Sequence, residues 1–251
     1  MALVEYEVRD KLACITLNRP EKMNAINHEM SERIFAIFDE MESDPGVWGC
    51  LITGNGKAFS SGHDLTEPPP EEGEVKPVSD LYQVIMELFK PCFAAINGFC
   101  LAGGAGIALS CDVRVMAEDA QLGWPQVMRG ISSVSGPILL AKQLPFNLAH
   151  YHLFTGEPID AETALRLGLV NKVVPKEKVL EETEKIARQV LANAPLAVRA
   201  IKEITVRARD MTMEDALRFG DVILKRLLET EDAEEGVRAF KEKRPPRFTG
   251  R

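Results

Sequence analysis

Residues 92–117 read CFAAINGFCLAGGAGIALSCDVRVMA, and this stretch decides the fold class. Cys92 to Ile96 is a short, unbroken apolar run, which is typical of a buried strand. After a glycine-bearing turn, Gly104 to Ser110 suits a short buried helix, and Val113 to Ala117 suits another strand. Strand, helix and strand in this order predict an α/β fold in which helices cover a sheet.

The segments before this stretch show the same alternation of strands and helices. Residues 3–8 and 12–17 alternate apolar and polar side chains on either side of a polar turn, which predicts a β-hairpin. Residues 28–41 carry apolar side chains at helical spacing, 47–53 suit a strand and 81–89 a further helix. The order β-β-α therefore recurs along the chain.

The C-terminal part of the sequence differs, because its patterns are all helical and amphipathic. The predicted helices are Lys176 to Asn193, Pro195 to Arg209 and Met213 to Glu229. We therefore divide the chain into an α/β core, residues 1–175, and a helical region, residues 176–251. Asn193 and Thr212 are suitable N-cap residues, and Pro195 suits a first helical turn.

The stretch from Glu67 to Pro77 is rich in proline and glutamate. Proline lacks the backbone donor that helices and sheets need, and repeated like charges oppose a packed structure. We therefore expect a mobile loop between the strand and the helix that flank it.

Composition narrows the class of protein. The formal net charge is -8, which argues against a nucleic-acid or anionic-membrane partner. Five cysteines lack the spacing of a metal site or a disulfide framework, so we expect no metal and a reducing compartment. The start of the chain resembles no targeting segment, and no apolar run reaches membrane-spanning length. These features predict a cytoplasmic protein.

Two glycine-bearing stretches, Gly54 to Leu65 and Asn97 to Gly106, each follow a predicted strand. The first is not a P-loop, because that motif needs glycine in place of Leu51 and serine or threonine in place of Ala58. The second lacks the glycine spacing of a dinucleotide-binding turn. Taken singly, each stretch is better explained as a tight turn in which glycine relieves strain than as a binding site.

Taken together, the two stretches resemble the crotonase (enoyl-CoA hydratase/isomerase) superfamily, and the resemblance covers nearly the whole chain. Further landmarks occur in family order. They are Asn18-Arg19-Pro20, Asn24-Ala25, Pro91 to Gly98, Cys111-Asp112, Phe154-Thr155-Gly156, Ala164 to Val174 and the tail from Glu235.

The resemblance implies a repeated β-β-α superhelix with a C-terminal α-helical trimerisation region. It implies a homotrimer, or a hexamer built as a dimer of trimers. It also implies an enzyme of the lyase or isomerase kind in fatty acid metabolism, whose substrate is an acyl-CoA thioester. Coenzyme A is then part of the substrate, and no other cofactor is expected.

The resemblance places an oxyanion hole at the backbone N–H groups of His63 and Gly103. Gly103 would lie at the N-terminus of the predicted helix, where free N–H groups and the helix dipole favour negative charge. The resemblance also assigns contacts with the coenzyme A part of the substrate. These fall on Lys22, Met23, Ala25, Ser61, His63, Asp64 and Leu65, with Gly103 and Trp124 beside the acyl group.

The sequence departs from the family where hydratases carry two glutamates, because Gly106 and Gln126 stand at those positions. Glycine has no side chain, and an amide cannot exchange a proton near neutral pH. Each acid or base contributes about 10²–10⁴-fold to rate. We therefore expect an enzyme other than a standard two-glutamate hydratase.

Several alternatives remain open from the sequence. Decarboxylation, or another lyase or hydrolase reaction, could use the oxyanion hole without the glutamates. Gln126 and Ser133 could serve as substitute catalytic residues, although serines 132, 133 and 135 also suit helix capping. Glu67 or Tyr82 near the loop could replace a glutamate, and Glu67 would allow true hydration. A non-catalytic acyl-CoA-binding protein is the remaining hypothesis.

Overall fold

A computed structural model describes residues 2–68 and 76–251 of the chain. Its strands are β1 Val4–Arg9, β2 Leu12–Leu17, β3 Gly49–Gly54, β4 Ala58–Ser60, β5 Cys92–Ile96, β6 Phe99–Leu101, β7 Val113–Ala117, β8 Gln121–Gly123, β9 Ile159–Asp160 and β10 Lys172–Val174. Its α-helices are α1 His28–Ser43, α2 Val78–Glu87, α3 Gly103–Ser110, α4 Ala141–Gln143, α5 Phe146–Thr155, α6 Ala161–Arg166, α7 Val179–Leu191, α8 Pro195–Arg207, α9 Met213–Leu228 and α10 Glu231–Glu242.

Six strands form the larger sheet, in the order β1-β2-β3-β5-β7-β10. The predicted hairpin is confirmed: β1 and β2 pair antiparallel, and Asp10 and Lys11 turn between them with positive φ angles of 48° and 70°. The neighbouring pairs from β2 to β10 are all parallel. Parallel neighbours need crossover connections, and the predicted helices lie in those connections.

The second sheet has the order β4-β6-β8-β9. Its strands β4, β6 and β8 are parallel, and each follows directly on a strand of the larger sheet. Each turn of the chain therefore adds one strand to each sheet before the chain crosses over, which is the predicted repeated β-β-α superhelix.

The core lies between the larger sheet and its covering helices. All five residues of β5 and all eight residues of α3 are buried. A strand buried on both faces has no polar side to display, which explains its continuous apolar sequence. Helix α3 is likewise apolar on every side because it runs through the interior.

The predicted helical C-terminal region is confirmed. One of the two predicted N-cap residues is wrong, and the region contains one helix beyond those predicted. Thr212 caps α9 by accepting a hydrogen bond from the Asp215 N–H, and Pro195 opens α8. Asn193 is not the cap of α8, because Ala194 holds that position and offers no side-chain acceptor. Helix α7 packs on the larger sheet and buries Val179 and Ala187. The domain boundary at residue 175 stays a prediction.

The predicted mobile loop at 67–77 falls largely on residues 69–75, which lie outside the described residues. The helix that follows begins at Val78, three residues before the start predicted at Leu81. No helix in residues 2–68 and 76–251 combines the length and apolar character that crossing a membrane requires.

Candidate active site

The site begins where two loops run side by side. The Ile26 N–H donates to the Gly62 carbonyl at 2.7 Å, and the Asp64 N–H donates to the Ile26 carbonyl at 3.0 Å. His63 lies between these two bonds and pairs with Ile26 as a parallel bridge. The segment that contains Asn24-Ala25 and Ile26 is therefore joined to the first glycine stretch by main-chain hydrogen bonds.

The Asp64 side chain stabilises the contact between these two loops. Its carboxylate lies 2.6 Å from the Arg19 guanidinium and accepts hydrogen bonds from the Thr66 N–H and hydroxyl. The Thr66 hydrogen bonds and the bond from Arg19 hold the pKa of Asp64 well below its ordinary value. Asp64 therefore stays ionised and positions the residue before it, His63.

The N-terminus of α3 packs directly on this loop. Gly62 has a φ of +94°, and a Cβ atom there would lie 2.7 Å from the Ala102 Cβ and 2.8 Å from the Gly103 nitrogen. A Cβ atom on Gly104 would lie 2.4 Å from the Ser60 carbonyl oxygen. Real side chains do not tolerate such distances. Glycine at 62 and 104 therefore permits the close approach of the two segments.

The amides of His63 and Gly103 are both available. Within residues 2–68 and 76–251, neither N–H group donates a hydrogen bond. Gly103 is the first residue of α3, where a helix leaves its N–H groups without internal acceptors. A Cβ atom on Gly103 would lie 3.4 Å from the His63 Nδ1 atom, so the two residues are neighbours. We call Gly62, His63 and Ala102 to Gly104 the oxyanion wall.

His63 itself has a depressed pKa. Desolvation is the larger cause, and the nearby His28 adds electrostatic repulsion of a second positive charge. Its imidazole is therefore neutral at pH 7.

His63 and Gly103, the residues predicted to form the oxyanion hole, both line one cavity of about 560 Å³. Seven of the predicted site residues line this cavity: Met23, Ser61, His63, Leu65, Gly103, Gln126 and Ser133. Lys22 is exposed in the short helix before Met23, and Ala25 is buried under the loop. The carboxylate of Asp64 turns to Arg19 instead. Roles of these three residues in binding coenzyme A stay predictions.

Another part of the cavity lining consists of polar side chains. We call Tyr82, Gln126, Ser133 and Ser135 the hydroxyl and amide wall. The side-chain amide oxygen of Gln126, Oε1, is buried and, among the described residues, has no hydrogen-bond partner. Buried polar atoms are normally paired, so this oxygen is free to receive a ligand group.

The serines are held by local structure. Ser133 accepts a hydrogen bond from the Gly136 N–H at 3.2 Å, which is the capping role that its position predicts. The Ser135 hydroxyl lies 3.3 Å from the Ser133 hydroxyl and accepts a bond from the Trp124 indole N–H at 3.0 Å. Trp124 is buried and lines a second cavity of about 550 Å³, which shares Gln126 and Ser133 with the first.

The Glu67 carboxylate is hydrogen-bonded outside the hydroxyl and amide wall. It accepts a hydrogen bond at 3.0 Å from the N–H of His28, the first residue of α1. A carboxylate at a helix N-terminus is favoured by the helix dipole. The described lining of the main cavity does not include Glu67. Its placement offers no support for the role of substitute general base.

Sequence reasoning missed some lining residues and one structural relation. Arg129 and Ile131 line the cavity, yet nothing in their local pattern separates them from ordinary surface residues. Tyr82 packs against Gly106, although the two are 24 positions apart in the sequence. Only the crossing of α2 over α3 brings them together.

Comparison with known proteins identifies the family of the chain. The enoyl-CoA hydratase/isomerase family profile matches residues 7–251. The chain belongs to this family. It is 36% identical to the (E)-benzylidenesuccinyl-CoA hydratase of Thauera aromatica, over 98% of this chain and 99% of the relative. It is 39% identical to the carnitinyl-CoA dehydratase of Citrobacter koseri, over 94% of each.

Solved structures of the family have the same fold. The crystal structure of an enoyl-CoA hydratase/isomerase from Mycobacterium paratuberculosis superposes with a TM-score of 0.92 at 32% identity. The match covers 100% of this chain and 99% of that one. The crotonase-like α/β fold predicted from the sequence is thereby confirmed.

Proposed function

We propose that this enoyl-CoA hydratase/isomerase family member binds an acyl-CoA thioester and stabilises its enolate between the His63 and Gly103 amides. The observation that carries the proposal is that these two amides are adjacent, have no acceptor among the described residues and belong to residues lining one cavity. Coenzyme A is part of the substrate, and no other cofactor is required.

Two N–H donors aimed at one oxygen stabilise the charge that develops there in the transition state. Removing one such donor typically raises the barrier by about 2.7–4 kcal/mol. The rigid contact of Gly62 with Gly103 fixes the donors before the substrate arrives. Preorganisation of this kind requires no rearrangement during the reaction.

The reaction proposed is one in which the enolate forms without a protein carboxylate, such as decarboxylation or another lyase or hydrolase step. Within residues 2–68 and 76–251, the cavity lining contains no Asp or Glu. In decarboxylation, the bond from the α-carbon to the carboxylate breaks and CO₂ leaves. The electron pair remains as the enolate, and a proton then adds to the α-carbon.

Calorimetry with acetoacetyl-CoA tests whether the protein binds the thioester, and ultraviolet absorption of the complex tests whether it stabilises the enolate. This thioester carries an acidic α-proton, so binding in the oxyanion hole should be accompanied by a near-ultraviolet enolate band. A protein that does not bind acetoacetyl-CoA would overturn the proposal.

Turnover assays with methylmalonyl-CoA and crotonyl-CoA test the reaction. We expect loss of CO₂ from the first to exceed hydration of the second. Rapid crotonyl-CoA hydration that Glu67→Gln abolishes would establish a substitute carboxylate instead. Tight binding without turnover of any acyl-CoA would establish the non-catalytic alternative.

We also infer that the chain forms a homotrimer or a dimer of trimers. No residue of α9 is buried, and its large apolar side chains face outward. The most exposed are Met213, Leu217, Leu224 and Leu228. An amphipathic helix with an uncovered apolar face needs a partner surface. Light scattering should give three or six times the 27.8 kDa chain mass, and Leu217→Lys should lower it.

A further inference from the structure

Tyr82 occupies the space that a side chain at residue 106 would need. A Cβ atom on Gly106 would lie 2.6 Å from the Cε1 and Cζ atoms of Tyr82 and 2.7 Å from the Ser135 Cβ. Even alanine at 106 would therefore displace the tyrosine ring. The space beside Gly106 is therefore occupied by the phenol ring of Tyr82 from α2 and by the side chain of Ser135.

The hydroxyl end of Tyr82 reaches the oxyanion wall. A Cβ atom on Gly103 would lie 3.4 Å from the Tyr82 hydroxyl oxygen, and 3.4 Å from the His63 Nδ1 atom. Tyr82 is 7% exposed and lines the cavity with both oxyanion residues. A thioester whose oxygen met the two amides would therefore place its α-carbon near this hydroxyl.

The phenol keeps its proton at neutral pH. Burial raises the pKa of Tyr82, and the interaction with the Ser135 hydroxyl offsets only part of that rise. Ser135 in turn lies 3.3 Å from Ser133, and both line the cavity. The Ser135 hydroxyl also donates to the Ala102 carbonyl oxygen at 3.3 Å, so the tyrosine regains its proton from water in the cavity that it lines.

We propose that Tyr82 is a catalytic residue that donates its phenolic proton to the α-carbon of the bound enolate. The inference rests on the proposed function. The Tyr82 O–H bond breaks and a C–H bond forms from the enolate electron pair, so the thioester carbonyl is restored. The tyrosinate then takes a proton from water in the cavity that Tyr82 lines.

Deuterium exchange of butyryl-CoA in D₂O at alkaline pD tests this step, because the tyrosinate left by proton donation is the base that removes an α-proton in the reverse direction. We expect the wild-type enzyme to exchange the α-protons, as followed by mass spectrometry. Tyr82→Phe should slow the exchange about 10²-fold or more, which is the usual contribution of an acid or base. Its acetoacetyl-CoA affinity, measured by calorimetry, should change less than about threefold, since the oxyanion amides are intact.

Tyr6→Phe is the matched control, because Tyr6 lies on the edge strand β1 and outside the described cavity lining. It should exchange at the wild-type rate. Unchanged exchange in Tyr82→Phe would overturn the role of Tyr82 and leave the proposed function standing. Wild-type protein that binds acetoacetyl-CoA but exchanges no α-proton would also overturn it. Failure to bind acetoacetyl-CoA at all would instead refute the proposed function.

Discussion

The two sides of the cavity are built in different ways. The oxyanion wall consists of main chain, held by contacts so close that Gly62 and Gly104 admit no Cβ atom. The hydroxyl and amide wall consists of side chains from α2 and from residues 126–135, and one of its polar atoms has no partner in the described part of the chain. Substitution of a glycine at the first wall disturbs the backbone, whereas substitution at the second changes side-chain groups and their hydrogen bonds.

In the proposed reaction, this contrast separates charge stabilisation from proton transfer. Charge stabilisation at the thioester oxygen needs only N–H donors, which every residue other than proline supplies. Proton transfer needs particular side chains, and here the space beside Gly106 is filled by Tyr82. Experiments on the two walls should therefore give effects of different size and kind.

Gly62→Ala should have the largest effect. The added methyl would meet Ala102 and the Gly103 nitrogen at a φ of +94°, so the oxyanion donors must separate. We expect turnover to fall about 10²–10³-fold, as for loss of one donor. Steady-state kinetics measure the loss of turnover, and thermal melting measures the stability of the variant.

Gly168→Ala is the control. Its φ of +73° imposes similar backbone strain, but a Cβ atom added at Gly168 would have no neighbouring atom within 4 Å. It should lower stability by about 1–2 kcal/mol and leave turnover unchanged. Equal turnover of Gly62→Ala and wild type would show that the close contact does not define the oxyanion wall.

Asp64→Asn should have the next largest effect. It removes a carboxylate hydrogen-bonded to Arg19 and Thr66, so we expect a loss of roughly 1.5 kcal/mol in the free energy of unfolding and weaker acyl-CoA binding. Because the folded-state pKa of Asp64 is depressed, its stabilisation is complete above the ordinary value of 3.8 and is lost as the pH falls below it.

Urea unfolding at pH 2 to 7 measures this dependence. Below about pH 4, the wild type should lose stability more steeply than Asp64→Asn. Parallel curves for the two proteins would contradict the role of this carboxylate in fastening the loop.

Gln126→Ala should separate stability from binding. Its buried carbonyl oxygen has no partner in the described residues, so truncation should leave the free energy of unfolding unchanged or raise it by up to about 1 kcal/mol. Acetoacetyl-CoA affinity should fall about threefold to tenfold if the amide meets the ligand. Lower stability with unchanged affinity would assign Gln126 a structural role only.

Ser133→Ala should have the smallest effect. It removes the hydrogen bond from the Gly136 N–H and should lower stability by about 1 kcal/mol. Turnover should stay within threefold of wild type. Ser132→Ala is the control, since no side-chain hydrogen bond of Ser132 is present among residues 2–68 and 76–251, and it should leave both quantities unchanged. A large loss of turnover in Ser133→Ala alone would make Ser133 a catalytic residue.

The elements that local sequence predicts are those with a strong pattern. Strands β5 and β7 occur at the predicted residues, because a short apolar run between turns has few alternatives. The three-residue strands β4, β6 and β8 are too short to show a period, and they form only because neighbouring turns of the chain supply their partners. Helix α10 lies beyond the last predicted helix.

The sequence by itself determined the α/β fold, the family and the absence of glutamate at 106 and 126, since these depend on local pattern and residue identity. The resemblance predicted that His63 and Gly103 share one site. Only the tertiary structure decided the contact that brings them together, the lack of an acceptor for either amide among residues 2–68 and 76–251, and the filling of the space beside Gly106 by Tyr82. The physical reason is that both relations join segments far apart in the chain. Their distances follow from the packing of α2, α3 and the 60–64 loop, which no local periodicity encodes.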